Sequence, residues 1–183
     1  TVVSAILTKM TEGSSWKPIQ CGTPADAEWV EQVTGLYAYP SSFFFKTPCS
    51  PHLAARQEAI EIDLHHLQPP QHTNTLIIEG TGGIYTPLNR TNTWADAAVQ
   101  WQAGWILVHC HYLGSFNHFL LTVEALNRRN IPLLGVVFNG EGDFATEKML
   151  LQKADCPRVE RLSFENRLTR QRIAEIATTW RES

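Results

Sequence analysis

Five short segments of this chain hold residue types whose spacing could do chemistry. Glu79-Gly80-Thr81-Gly82-Gly83 follows the apolar run Leu76-Ile77-Ile78 directly, which sets a carboxylate and a glycine turn at a strand end. Open α/β sheets bind ligands at such ends, where a carboxylate can hold a metal and glycines let backbone approach phosphate. The plain alternative is a solvated turn. Trp16-Lys17-Pro18-Ile19-Gln20-Cys21-Gly22 sets a lysine beside a rigid proline, a fixed positive charge for an anion or an ordinary surface lysine. Asp26, nine residues on, stands near a helix start and is either a cap or a ligand. His109-Cys110-His111 could present two imidazoles on one strand face, but no third ligand stands at a plausible spacing, so a structural or ligand-contact role is expected. Leu113-Gly114-Ser115-Phe116-Asn117-His118 reads as a strand-to-helix turn whose serine and asparagine either cap the helix or bind a small polar group.

The elements that must position these residues are those of an α/β fold. Leu76–Ile78, Trp105–Val108 and Leu133–Phe138 are continuous rather than alternating apolar runs, which suits strands covered on both faces of a parallel sheet. Between the last two, Phe119, Leu120, Val123 and Leu126 mark one helical stripe within 117–130, with Pro132 beyond, and so complete a βαβ unit. Ser50-Pro51 opens another helix, with serine as cap and proline at the first position. Residues 26–34 read as helix ended by Gly35. Ile173, Ile176, Ala177 and Trp180 give the last helix a face to dock on the sheet. The expectation is a single domain over 1–183, with a mostly parallel central sheet and helices on both faces.

Composition narrows the partners. The 183 residues carry a net charge of -3 with both signs dispersed, which argues against nucleic acid. No apolar run approaches the ~20 residues of a bilayer span, and no signal sequence is apparent, so a soluble, cytoplasmic protein is expected. Its four cysteines are scattered without a CxxC and are expected to be reduced thiols.

In order along the chain, Lys17-Pro18-Ile19-Gln20, Ser50-Pro51-His52, Glu79-Gly80-Thr81-Gly82-Gly83 with Pro87-Leu88, Leu113-Gly114-Ser115-Phe116-Asn117-His118 with Leu121-Thr122, and residues 135–139 resemble the dethiobiotin synthetases from end to end. The resemblance implies a P-loop NTPase-like fold and an ATP-dependent ring closure. Diaminopelargonate and CO2 would give a carbamate that takes the γ-phosphoryl group of ATP, then closes to the cyclic urea of dethiobiotin in biotin biosynthesis. By that resemblance Lys17 is the catalytic cation, steadying carbamate and γ-phosphate charge. Thr1, Asp26 and Glu79 hold Mg2+, Glu79, Gly82 and Asn139 contact the nucleotide, and Asn139 reads the adenine edge. Cys21 and the turn Gly114, Ser115, Phe116 and Asn117 receive substrate, the turn reaching across a homodimer interface.

The chain departs from that pattern at several places. Thr1 looks like the last hydroxyl residue of GxxxxGK[ST], and the preceding strand and loop are expected upstream of it. Cys21 stands where serine or threonine is usual, Thr81 replaces the common alanine, and Arg161-Leu162-Ser163 lacks the Gly-x-x-Pro expected near adenine. Two other readings compete: a non-catalytic homodimer of the same fold that lost phosphate binding, and a different P-loop ligase or ATPase.

Overall fold

The computed structural model describes residues 1–156, 158–165 and 167–183. The chain divides into two compact units, residues 1–97 with 167–183, and residues 98–166.

In the first unit, Val3, Ile6 and Leu7 recur at helical spacing and are buried along α1, Val2–Thr11. The chain then enters β1, Ser14–Trp16, whose three residues are all buried. β1 lies between two parallel neighbours, β3 (Ala38–Tyr39) and β5 (Leu76–Ile78). A separate parallel pair joins β2, Ile19–Cys21, to β4, Phe43–Phe45. Helix α2 spans Asp26–Thr34 and buries Val30, Val33 and Thr34. Gly35 ends it at φ 69°, a left-handed conformation that costs glycine little. Helix α3, Pro51–Gln57, begins after Ser50 as expected, but the Ser50 hydroxyl makes no capping bond. Its carbonyl instead accepts from the Leu53 and Ala54 amides, both at 3.0 Å.

The last helix, α7 (Arg170–Glu182), buries Ile173, Ile176, Ala177 and Trp180, the face its periodicity marks out. It packs mainly against α1 and α2 rather than on the sheet. Arg181 of α7 donates from Nε and Nη2 to the Met10 carbonyl at 2.9 and 2.5 Å, satisfying an acceptor that the end of α1 leaves open.

The helix α4, Trp94–Trp101, spans the division between the units. The second unit is built on β6 (Trp105–Cys110), β7 (Leu133–Asn139) and β8 (Val159–Leu162), parallel and in that order. The βαβ unit is present. Its helix α5, Ser115–Arg128, starts two residues earlier than its apolar stripe suggests. Phe119 and Val123 of α5, Val136 and Phe138 of β7, and Leu150 and Ala154 of α6 (Phe144–Ala154) close a core on one face of this sheet. Among the described residues, all pairing between these strands is parallel. The runs expected to be covered on both faces are only half-buried in β5, and Val108 of β6 is exposed. Among the described residues β5 pairs with β1 alone and β6 with β7 alone, so each lies at the edge of its sheet.

Candidate active site

Three backbone elements of the first unit deliver charged side chains to one place. Lys17 is the first residue after β1, Glu79 the first after β5, and Asp26 the first of α2. Because β1 and β5 run parallel in register, with Trp16 opposite Ile78, Lys17 and Glu79 leave the sheet side by side. Lys17 Nζ contacts Glu79 Oε1 at 3.3 Å and forms a close ion pair with Asp26 Oδ2. Thr1 Oγ1 donates to the same Glu79 oxygen at 2.8 Å. Asp26 therefore caps nothing with its side chain. The cap position of α2 is Ala25, and the Asp26 amide reaches the side chain of buried Gln20 at 3.4 Å.

The charges are mostly shielded from water, with side-chain exposures of 14% for Lys17, 16% for Glu79 and 28% for Asp26. Burial disfavours every charged form here, and mutual attraction outweighs it. For Lys17, burial pulls downward, yet Glu79 and Asp26 hold the ammonium above its usual value. Burial would raise Glu79, but Lys17 and the Thr1 hydroxyl pull it the other way, below the usual carboxylate range. Asp26 is likewise held low against burial by Lys17 and Thr1. Two carboxylates thus stay ionised around one ammonium, lining a small crevice with Ser4, Ser15, Trp16, Ala27 and Val30.

The loop after Glu79 is tied down by the residue that departs from the family pattern. Thr81 Oγ1 donates to the Ile19 carbonyl of β2 at 2.6 Å, and the Thr81 carbonyl accepts from Trp94 Nε1 of α4 at 2.6 Å. Trp94 is 2% exposed, so the loop is stapled to a strand on one side and to a buried ring on the other. Gly82 follows at φ 81°. Cys21 ends β2, and burial, the first of several influences on it, pushes its thiol up.

The remaining candidates belong to the second unit. Asn139 ends β7 and its Nδ2 lies 3.3 Å from Cys110 Sγ. Gly114, Ser115, Phe116 and Asn117 form the entry to α5, but only part of that turn faces outward. Ser115 is 1% exposed, and its hydroxyl accepts from the Tyr112 amide at 3.3 Å and lies 3.4 Å from His109 Nε2. The serine is used within the turn, while Gly114, Phe116 and Asn117 are exposed. His109 and His111 do share a face, with ring centres 4.9 Å apart. His109 is enclosed by Phe116, Phe119 and Phe138, and burial, with His111 beside it, holds its imidazole below the usual value. His111 instead contacts Glu147.

Hard oxygen donors converge at Lys17: two carboxylates, with a hydroxyl on one of them. That donor chemistry fits magnesium, which keeps several waters and takes one or two protein carboxylates with substrate phosphates. Among the described residues no cluster of three or more His, Cys, Asp or Glu could hold a metal by itself.

A sequence profile for the AAA domain matches residues 1–172. The ATP-dependent dethiobiotin synthetase of Chlamydia pneumoniae is 38% identical over 100% of this chain and 84% of its own length. The chain belongs to the dethiobiotin synthetase family. The synthetase of Brucella anthropi is 41% identical over 88% of the chain and 79% of its own length, and that of Cytophaga hutchinsonii 40% over 97% and 88%. The family's α/β, P-loop NTPase-like class agrees with the parallel sheets and flanking helices seen here.

Proposed function

We propose that this chain is an ATP-dependent dethiobiotin synthetase whose phosphoryl-transfer centre is the cluster of Thr1, Lys17, Asp26 and Glu79, with residues 1–183 working as one ligase domain. The observation that carries this reading is a single ammonium held between two ionised carboxylates at adjoining parallel strand ends. Magnesium would be held by Asp26, Glu79 and Thr1, and it supplies charge neutralisation on the transferring phosphoryl group. Lys17 holds a fixed positive charge where the carbamate oxygen and the γ-phosphoryl group meet. The diaminopelargonate amine takes up CO2, the carbamate oxygen accepts the phosphoryl group, and the second amine then displaces phosphate to close the urea. Gly82 lets the backbone approach the nucleotide, Asn139 reads the adenine edge, and Cys21 contacts the substrate. The exposed entry to α5, with Gly114, Phe116 and Asn117, receives the substrate's carboxylate tail from the partner subunit of a homodimer. Ser115 shapes that turn from inside.

Calorimetric titration of ATP with and without magnesium tests the centre. In the intact protein, Asp26→Asn and Glu79→Gln should each remove most of the magnesium-dependent gain in ATP affinity while the protein stays folded. Full retention of the magnesium effect in both variants would make the carboxylates partners of Lys17 only.

A further inference from the structure

Glu147 lies in the first turn of α6 with its side chain 4% exposed, an environment that penalises a carboxylate heavily unless partners compensate. Both oxygens are engaged. Oε2 accepts from Arg161 Nε at 2.9 Å and Nη2 at 2.5 Å, and Oε1 lies 3.1 Å from His111 Nε2. His111 is the first residue after β6, and Arg161 belongs to β8. One carboxylate therefore joins the two outer strands of the second sheet over the middle strand β7.

The groups beneath and beside it belong to the carboxyl end of β7. The His111 ring stacks on Phe138 at 5.8 Å between centres, and the Arg161 guanidinium lies 5.7 Å from the same ring. Phe138 directly precedes Asn139, which sits in register between Cys110 and Leu162. The chain leaving Asn139 is bonded to β8 through the Gly140 amide and the Leu162 carbonyl at 2.8 Å. It then runs against the charged pair itself. A Cβ placed on Gly142 would fall 2.2 Å from His111 Nε2 and 2.6 Å from Glu147 Oε1. A side chain there fits only if the His111–Glu147 pair or the loop gives way.

We infer that Glu147 is a positioning residue for the nucleotide base, holding His111 and Arg161 so that Asn139 and the 140–143 loop keep one geometry. This rests on the reading of Asn139 as the base contact. A buried ion pair adds little net stability compared with apolar packing of the same volume, so its placement at the strand ends where ligands bind is better explained by geometry than by stability. Glu147 acts through Asn139 and the loop, and it has no role at the phosphoryl group.

The test is steady-state kinetics of the intact enzyme with ATP varied, together with thermal unfolding. Glu147→Gln keeps the side chain's shape and removes its charge. It should raise the KM for ATP ~10-fold, with kcat within about twofold, because a group that binds ground and transition states alike changes KM alone. The KM for diaminopelargonate should not change. Asn139→Ala should raise the ATP KM in the same way, and the double variant should lose less than the product of the two single effects. Gly142→Ala disturbs the same contact from the loop side and should shift the ATP KM without removing any charge, so it decides the matter if Glu147→Gln unfolds. An unchanged ATP KM in Glu147→Gln or Gly142→Ala, with Asn139→Ala impaired, overturns the positioning role alone. An unchanged ATP KM in Asn139→Ala overturns the base contact and the inference with it.

Discussion

Lys17 carries two duties in this structure, and a substitution there separates them. As an ammonium between Asp26 and Glu79 it stabilises the fold; as a charge near the transferring group it would act in catalysis. Lys17→Gln should lower turnover by roughly 10²–10³, the usual effect of removing one preorganised electrostatic group. It should also lower stability at neutral pH by about 1–2 kcal/mol, because two mostly shielded carboxylates lose their partner. Turnover within a few-fold of wild type would return Lys17 to a purely structural role. The pH dependence has a definite sign on each side. The depressed Asp26 and Glu79 contribute stability that is fully present above their unfolded values of ~4 and is lost as pH falls through their lowered folded values. The raised Lys17 contributes stability present below its unfolded value of ~10.4 and lost as pH rises through its folded value. Chemical denaturation of Lys17→Gln across acid and alkaline pH should show both dependences reduced.

At the scale of elements, what the sequence disclosed depended on the length of each apolar pattern. Strands β5, β6 and β7 were legible as continuous apolar runs, α5 and α7 as apolar stripes, and α2 and α5 also by the Gly35 or Asn130 and Pro132 that end them. Strands β1 to β4 are two or three residues long, too short for any period to register, and their order came only from pairing. Helix α1 buries a clear stripe of Val3, Ala5, Ile6 and Leu7 that was not singled out from the sequence. Helix α6 is different: buried Glu147 lies on the same helix as core residues Leu150 and Ala154, so its polarity hides a core-facing element. Its start is nevertheless signalled, since the Asp143 carboxylate accepts from the amides of Ala145 at 3.3 Å and Thr146 at 3.2 Å. Asp143→Ala should lower the thermal midpoint, and Asp143→Asn should restore most of the loss, because asparagine caps as well as aspartate. Equal midpoints for all three proteins would show that packing alone holds α6. Within the site, Lys17, Asp26 and Glu79 were readable as candidates, but their meeting was not readable from separations of 9 and 62 residues. The contacts of Glu147 with His111 and Arg161 left no sequence signal, since each residue is ordinary by itself.

For the molecule as a whole, the entry to α5 displays Tyr112, Leu113, Phe116, Leu120 and Leu121, each more than a third exposed, a concentration of apolar surface that favours association. Together with the proposed entry of the α5 turn into a partner's site, it leads us to expect a two-fold dimer. Sedimentation at micromolar concentration should give twice the monomer mass, and Leu113→Asp should shift the protein toward monomer with loss of turnover. A fully active monomer would remove the partner's turn from the substrate site. The staple at Thr81 has a kinetic consequence for any such assembly. With its hydroxyl on β2 and its carbonyl on the Trp94 indole, the Glu79 loop is ordered before a ligand arrives. Encounter then requires no search among loop conformations, so association at this end of the site should be set by diffusion and charge, and selectivity among nucleotides should appear mainly in how slowly each one leaves.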